Sequence, residues 1–301
     1  MDNKDEKRVK FLYFSAGILI ALLILIFALY FYKPSPEYSK FTVAITFDVE
    51  YPYAVEYAPA TPILDGSENF PGEEKWLETI NKIVKISEQE DVKFQFNVLG
   101  KTAEAYPEVI KKLSLAGDIS CHTFSHKKQT SFGFQEKVSE LKQCKDVVER
   151  IIKTRVQGNR FPYTNYDDES HAALESAEYK WDSSVWKDER PYKIESITEF
   201  PIDTTDDWNY FINKRSERKL GDEKEFFSTL LQDIKSKRKE NNEKNGKVYV
   251  VVLHPWVLAG YDSEEKVDAF EDFIKKLKRE NIKIMTLDDY YKENFLNKLT
   301  R

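Results

Sequence analysis

The sequence predicts an α/β fold, in which parallel strands alternate with helices, behind a single membrane-spanning segment. Three observations predict it. Short apolar runs rich in β-branched and aromatic residues recur between stretches whose apolar residues fall at helical spacing. Two of those runs, Phe41 to Phe47 (FTVAITF) and Val248 to Leu253 (VYVVVL), show no polar alternation, as strands covered on both faces do. One uncharged block at residues 11–32 stands apart from all that follows.

That block, Phe11 to Tyr32 (FLYFSAGILIALLILIFALYFY), would span about 33 Å as a helix, enough to cross a bilayer. Aromatic residues crowd both of its ends, where the membrane interfaces would lie. Lys4, Lys7, Arg8 and Lys10 precede it, and only Lys33 and Lys40 follow closely. The basic excess predicts a cytoplasmic tail over 1–10, an anchor over 11–32 and an extracytoplasmic remainder. A cleavable signal peptide would have a shorter apolar core and a small-x-small site, and none stands before Lys33. Residues 33–40 read as a linker stiffened by Pro34 and Pro36, and one folded domain is expected over 41–301.

Within that domain the strand Phe41 to Phe47 runs into Asp48-Val49-Glu50. Tyr51 to Pro71 reads as a loop, and Glu73 to Glu90 as a helix with Trp76, Leu77, Ile80, Ile83, Val84 and Ile86 in its apolar stripe. Val92 to Leu99 is a second strand. Pro107 opens a helix that Gly117 is expected to cap. The stretch Gly117 to His126 (GDISCHTFSH) gives a third strand and a turn. Phe134 to Ile152 is a long amphipathic helix, Asn159 to Tyr163 a strand end, and Glu169 to Glu178 a short helix. Lys180 to Trp186 is a strand and loop, Ile197 to Ile202 another strand, and Asp203 to Asp222 is polar and unpatterned, an insertion. A helix around Phe226 to Ile234, the strand Val248 to Leu253, a helix Glu264 to Lys278, a strand Ile282 to Leu287 and a terminal helix complete the chain. Such alternation calls for parallel pairing in a barrel or a doubly wound sheet.

Composition narrows the function. Net charge is −6 with acids and bases interspersed, so no basic surface follows a phosphate backbone and nucleic acid is not an expected partner. Two cysteines, Cys121 and Cys144, exclude a disulfide scaffold and a cysteine-rich zinc site.

Polar residues that break the apolar pattern recur just after strands: Asp48 and Glu50, His122 and His126, Arg160, Asp182, and His254. In a parallel α/β fold these ends share one face, where such folds carry chemistry. Each residue also has an ordinary reading, as a cap, an ion pair, an Asx turn or a satisfied core histidine. His122 and His126, four apart after a strand, suit a tetrahedral cation such as zinc. Only His171, on a helix, stands outside the set.

These residues resemble the polysaccharide deacetylase family, the NodB-homology carbohydrate esterases. The family's five motifs have counterparts in order: TFDVE (Thr46 to Glu50), HTFSH (His122 to His126), RFPY (Arg160 to Tyr163), WDSSVW (Trp181 to Trp186) and LHP (Leu253 to Pro255). The resemblance implies a distorted (β/α) barrel of the NodB-homology type with a divalent metal, usually zinc, at the strand ends. It implies removal of N-acetyl groups from amino sugars of an acetylated polysaccharide or peptidoglycan-like glycan. His122 and His126 map onto metal ligands, Asp48 onto the base acting on metal-activated water, and His254 onto the acid that protonates the leaving amine. Arg160 and Asp182 map onto partners that orient the base and acid, and the backbone N–H of Tyr163 onto an oxyanion donor.

The sequence departs from the family pattern at Val49, which stands where the second acidic residue is usual. Strand alternation puts Asp48 and Glu50 on one face and Val49 on the other, so Glu50 is the expected third ligand, with Asp48 as the alternative. The resulting expectation is a membrane-anchored metal-dependent hydrolase of a surface or cell-wall glycan. Two other readings remain: a glycan-binding protein with impaired turnover, and a metal-dependent amidase of small amides. Trp186, Trp208 and Trp256 are candidate sugar platforms, although large aromatics are more often packing.

Overall fold

β1 (Phe41–Val49) is buried along its whole length, and it sits between three other strands. In the computed structural model, residues 41–53, 71–203, 206–213, 223–240, 246–260 and 263–296 are described. The predicted tail, anchor and linker at 1–40 lie outside the described residues, as do residues 54–70 of the loop Tyr51 to Pro71 and residues 204–205 and 214–222 of the insertion. Among the described residues no helix is long and apolar enough to cross a membrane.

β1 pairs in parallel with β2 (Phe94–Val98) on one side and with β8 (Lys247–Leu253) on the other. The sheet continues through β3 (Gly117–Cys121), β4 (Gly158–Asn159), β5 (Trp181–Asp182), β7 (Ile197–Glu199) and β6 (Tyr192–Ile194). β9 (Lys283–Ile284) lies beside the start of β1. Among the described residues every strand pairing is parallel except the β6–β7 hairpin. The long helices Glu73–Glu90, Pro107–Ala116, Phe134–Ile152, Glu223–Glu240 and Ser263–Arg279 supply the crossovers that parallel strands need.

Alternation along each strand sorts side chains onto two faces. On β1, Val43, Ile45, Phe47 and Val49 enter the large core beneath the helices, together with Tyr249, Val251 and Leu253 of β8. Ala44, Val248, Val250 and Val252 point the other way, into a smaller cluster closed by Trp181, Phe200, Ile202 and Leu287. Asp48 continues the Ala44 and Thr46 series and therefore faces the second side.

The expected barrel is not closed by strand pairing among the described residues: the strand path ends at β8 and at β6. β5 has two residues and β7 three, too few for a ladder that would run on to β8. A side chain bridges part of the gap, the carboxylate of Asp203 accepting the backbone N–H of Val250 at 3.0 Å. The hairpin strand β6 is absent from the sequence expectation, because three residues, Tyr-Lys-Ile, are too few to show a strand's alternation. Gly117 caps the helix Pro107–Ala116 as expected. It is extended and opens β3, and a Cβ there would lie 1.8 Å from the carbonyl oxygen of Phe94.

Candidate active site

The strand ends deliver their polar side chains to one cavity of about 360 Å3. Asp48, Glu50, His122, His126, Arg160, Tyr163 and His254 all line it. Of the residues singled out from sequence, only Asp182 is missing from the wall.

His122 follows β3 directly. Its Nδ1 lies 2.8 Å from the carbonyl oxygen of Arg160, which can only accept, so that nitrogen donates and Nε2 is the atom turned to the cavity. Between the two histidines the chain turns sharply, with Thr123 at φ 58° and His126 at φ 61°, left-handed values that non-glycine residues seldom adopt. Glu140, on the helix Phe134–Ile152, holds this turn. Its carboxylate accepts the backbone N–H groups of Phe124 (3.2 Å) and Ser125 (2.8 Å) and the Ser125 hydroxyl (2.8 Å). One Glu50 oxygen, Oε2, then meets both rings, 2.6 Å from His126 Nε2 and 3.3 Å from His122 Nε2. The other, Oε1, accepts the indole N–H of Trp256 at 2.8 Å. Two imidazole nitrogens and a carboxylate oxygen, all buried and converging, form a group that can hold a metal ion. Burial works against ionisation of Glu50, but His126 and His122 outweigh it and hold the carboxyl well below its usual range.

Asp48 is held differently. Arg160 Nη1 donates to Oδ1 at 2.9 Å, and Asn97 Nδ2 donates to the same oxygen at 2.7 Å. Three further guanidinium N–H groups donate to the Thr46 hydroxyl, the Ser183 carbonyl and the Ser183 hydroxyl, at 2.7 to 2.8 Å, so Arg160 has one orientation. Burial raises the Asp48 pKa, yet Arg160, with His122, His254 and Asn97, brings it below the ordinary value. Its free oxygen, Oδ2, faces His254 Nε2 at 3.9 Å, and Glu50 Oε1 is equally far from that nitrogen.

The partner of His254 is Asp207. Its Oδ1 lies 2.6 Å from His254 Nδ1, and its Oδ2 accepts the His254 backbone N–H at 2.8 Å. Burial alone would lower the imidazole pKa, but Asp207, with help from Glu50 and Asp48, raises it to about 10. His254 is therefore an imidazolium at neutral pH, with its Nε2 proton turned into the cavity.

The sequence expectation gave this orienting task to Asp182, and there the structure differs. Strand alternation sends Trp181 and Ser183 to the Arg160 side of the sheet and Asp182 to the helix side, where it meets His171 and Glu199. Asp207 lies in the stretch dismissed as an insertion. The pair Asp207-Trp208 is the signal that the sequence offers, since WDSSVW likewise sets an Asp beside a Trp. Tyr163 sits at the cavity rim with φ 57°, its ring 4.7 Å from that of His126. Trp186, Trp208 and Trp256 all line the cavity, and Trp256 is buried there and braces Glu50. Cys121 and Cys144 are buried free thiols.

Comparison with known proteins bears on this arrangement. Residues 35–181 match the family model of polysaccharide deacetylase. The chain carries a polysaccharide deacetylase domain. The match ends at Trp181, short of both Asp207 and His254. Two curated relatives share parts of it. The peptidoglycan-N-acetylmuramic acid deacetylase PdaC of Bacillus subtilis is 29% identical over 96 residues, 31% of this chain and 21% of that protein. A peptidoglycan-N-acetylglucosamine deacetylase of Bacillus cereus is 27% identical over 135 residues, 44% of this chain and 40% of that protein. The chain thus aligns with less than half the length of either relative.

Among solved structures, a Mycobacterium smegmatis protein assigned to the polysaccharide deacetylases superposes with a TM-score of 0.70 at 18% identity, covering 87% of this chain and 93% of that one. A CE4 family pseudoenzyme from Bacillus anthracis gives 0.51 at 15% identity, over 84% of this chain and 66% of its own. The deacetylase fold thus extends beyond the matched residues. Since a pseudoenzyme shares it, activity has to be argued from the site.

Proposed function

We propose that this chain is a membrane-anchored, metal-dependent hydrolase that removes N-acetyl groups from amino sugars of a surface or cell-wall glycan. The observation that carries the proposal is the division of labour around one cavity. Glu50, His122 and His126 form a ligand group, Asp48 is kept ionised by Arg160, and His254 is kept protonated by Asp207. The names of the two peptidoglycan deacetylases above support the substrate class.

Two imidazoles and one carboxylate, with the His122 tautomer fixed by a carbonyl, suit zinc. Bound there, the ion supplies Lewis acidity, which polarises an amide carbonyl and eases deprotonation of water. The remaining work falls to the chain. Asp48 Oδ2, the oxygen not engaged by Arg160 or Asn97, accepts a proton from the attacking water. His254 Nε2–H gives a proton to the departing amine, which would otherwise be too basic to leave. Asp207 keeps that ring oriented and charged. The backbone N–H of Tyr163 is assigned to the developing oxyanion. Water adds to the carbonyl carbon, the C–N bond breaks, and acetate and a free amine result.

The uncharged segment 11–32 assigns the anchor, with the N-terminus cytoplasmic and the hydrolase domain outside. Acetate release by the zinc-loaded full chain from a panel of acetylated glycans, peptidoglycan included, tests the reaction. The proposal expects release that Asp48→Asn abolishes. No release from any glycan, with metal bound, would leave the impaired glycan-binding protein as the better reading. A reporter fused to the C-terminus and read out in the cytoplasm would refute the topology.

A further inference from the structure

His171, the histidine left outside the strand-end set, and Asp182, the acid displaced from the cavity, meet in a second buried cluster. His171 projects from the helix Asp168–Ser176, Asp182 ends β5, and Glu199 ends β7. Asp182 and Glu199 are register partners on adjacent parallel strands, so their carboxyl groups stand side by side. One nitrogen or oxygen from each of the three residues lies within 4.8 Å of the other two. Both carboxyl groups are fully buried, and His171 is 7% exposed.

Three atoms of the cluster, His171 Nε2, Asp182 Oδ2 and Glu199 Oε2, are buried without a hydrogen-bond partner among the described residues. The other oxygens are engaged. Asp182 Oδ1 accepts from Asn159 Nδ2 at 3.2 Å, and Glu199 Oε1 accepts the backbone N–H groups of Ser184 and Val185 at 3.0 Å each. Each residue thus turns a spare ligand atom toward the others, and leaving three such atoms unmet in a protein interior is costly. No Lys or Arg pairs with either carboxylate among the described residues, and the nearby Arg160 is committed to Asp48 and Ser183 across the sheet. Two neighbouring buried carboxylates call for compensation, and His171 is the one basic side chain of the cluster, with a single spare nitrogen against two spare carboxylate oxygens; a divalent ion meets all three at once.

We propose that His171, Asp182 and Glu199 form a second divalent-cation site, separate from the cavity and on the opposite face of the sheet. One imidazole nitrogen and two carboxylate oxygens suit a first-row ion such as Zn2+ or Mn2+. The ion would be structural, tying a helix to two strand ends. It would also brace the pocket wall from behind. Glu199 holds the backbone of Ser184 and Val185, the Ser184 hydroxyl accepts the Phe161 N–H at 2.8 Å, and Ser183 holds Arg160.

Metal content of the full 301-residue chain tests this. The chain is stripped with a chelator, reloaded separately with Zn2+ and with Mn2+, and measured by plasma mass spectrometry. The expected result is two equivalents in the wild type, one in His126→Ala, one in His171→Ala and none in the double variant. Asp182→Asn, close to isosteric, guards against misfolding in His171→Ala and should also bind one equivalent. Added metal should raise the Tm of His126→Ala and leave that of the double variant unchanged. One equivalent in the wild type, lost in His126→Ala and kept in His171→Ala and Asp182→Asn, overturns the second site and leaves the hydrolase proposal intact. One equivalent lost only in His171→Ala would support the second site and count against the ligand set in the cavity.

Discussion

Asp207 grips His254 twice, through the imidazole Nδ1 at 2.6 Å and through the backbone N–H at 2.8 Å. The residue is thereby both placed and charged by one carboxylate. Asp207→Asn keeps a similar shape but loses the charge that holds the imidazole pKa near 10. An acid works only while protonated, so activity is lost as pH rises through its pKa. The alkaline limb of the kcat–pH profile should therefore move to lower pH in Asp207→Asn. At neutral pH kcat should fall by up to about 10²–10⁴-fold, the usual worth of a positioned acid. KM and bound metal should be unchanged. A merely structural Asp207 would lower activity without moving the limb.

Asp48 and Glu50 share a face but not a task. Glu50 touches both histidines, and Asp48 touches Arg160 and Asn97. Asp48→Asn should retain the metal at the Glu50 site and lose turnover at least about 10²-fold, since a base is removed. Glu50→Gln should weaken metal binding at that site, with turnover restored in part by excess zinc. Dialysis against graded zinc followed by metal analysis separates the two. The reverse pattern would make Asp48 the ligand.

How much of this was legible in the chain depends on what each residue answers to. β1, β2, β8 and the long helices are set by local apolar pattern, and they stand within a few residues of where that pattern puts them. The shared face of Asp48 and Glu50 follows from alternation alone, and Val49 does enter the helix-side core. Asp182 and Asp207 could not be sorted in this way. β5 has only two residues, too short to show its alternation, so the side on which Asp182 emerges is fixed by pairing with β4 and β7. Asp207 reaches His254 from 47 residues away, through a polar stretch without strand or helix periodicity. Closure of the sheet was equally unreadable, because it depends on which short strands meet.

The turn between the histidines should depend on Glu140. Thr123 and His126 both hold left-handed backbone angles, a cost of order 1–3 kcal/mol each unless the surroundings enforce them. Glu140 supplies that enforcement through three accepted hydrogen bonds while touching neither imidazole. Glu140→Ala should therefore reduce metal affinity at the Glu50 site about 10–100-fold, the range seen when supporting partners of ligands are removed. Competition with a chromophoric chelator measures it. Circular dichroism should remain that of the wild type, since the helix Phe134–Ile152 keeps its apolar face.

A last prediction concerns stability rather than catalysis. Asp288 is buried at the start of the helix Leu287–Tyr291, where its Oδ1 accepts the indole N–H of Trp181 at 2.8 Å. Burial, reinforced by the nearby Asp118 carboxylate, raises its pKa to about 7 against the donation from Trp181. The unfolded chain titrates near the ordinary value of 3.8. Between these values the folded protein holds a proton that the unfolded chain has released, so stability falls as pH rises. The penalty is absent below about pH 4 and complete above about pH 7, on the order of a few kcal/mol. Asp288→Asn keeps an acceptor for Trp181 and has no proton to lose. Its denaturation midpoint in urea should exceed that of the wild type at pH 8, and the difference should shrink toward pH 4. A difference that stays constant across this range would mean that Asp288 ionises freely in the folded protein.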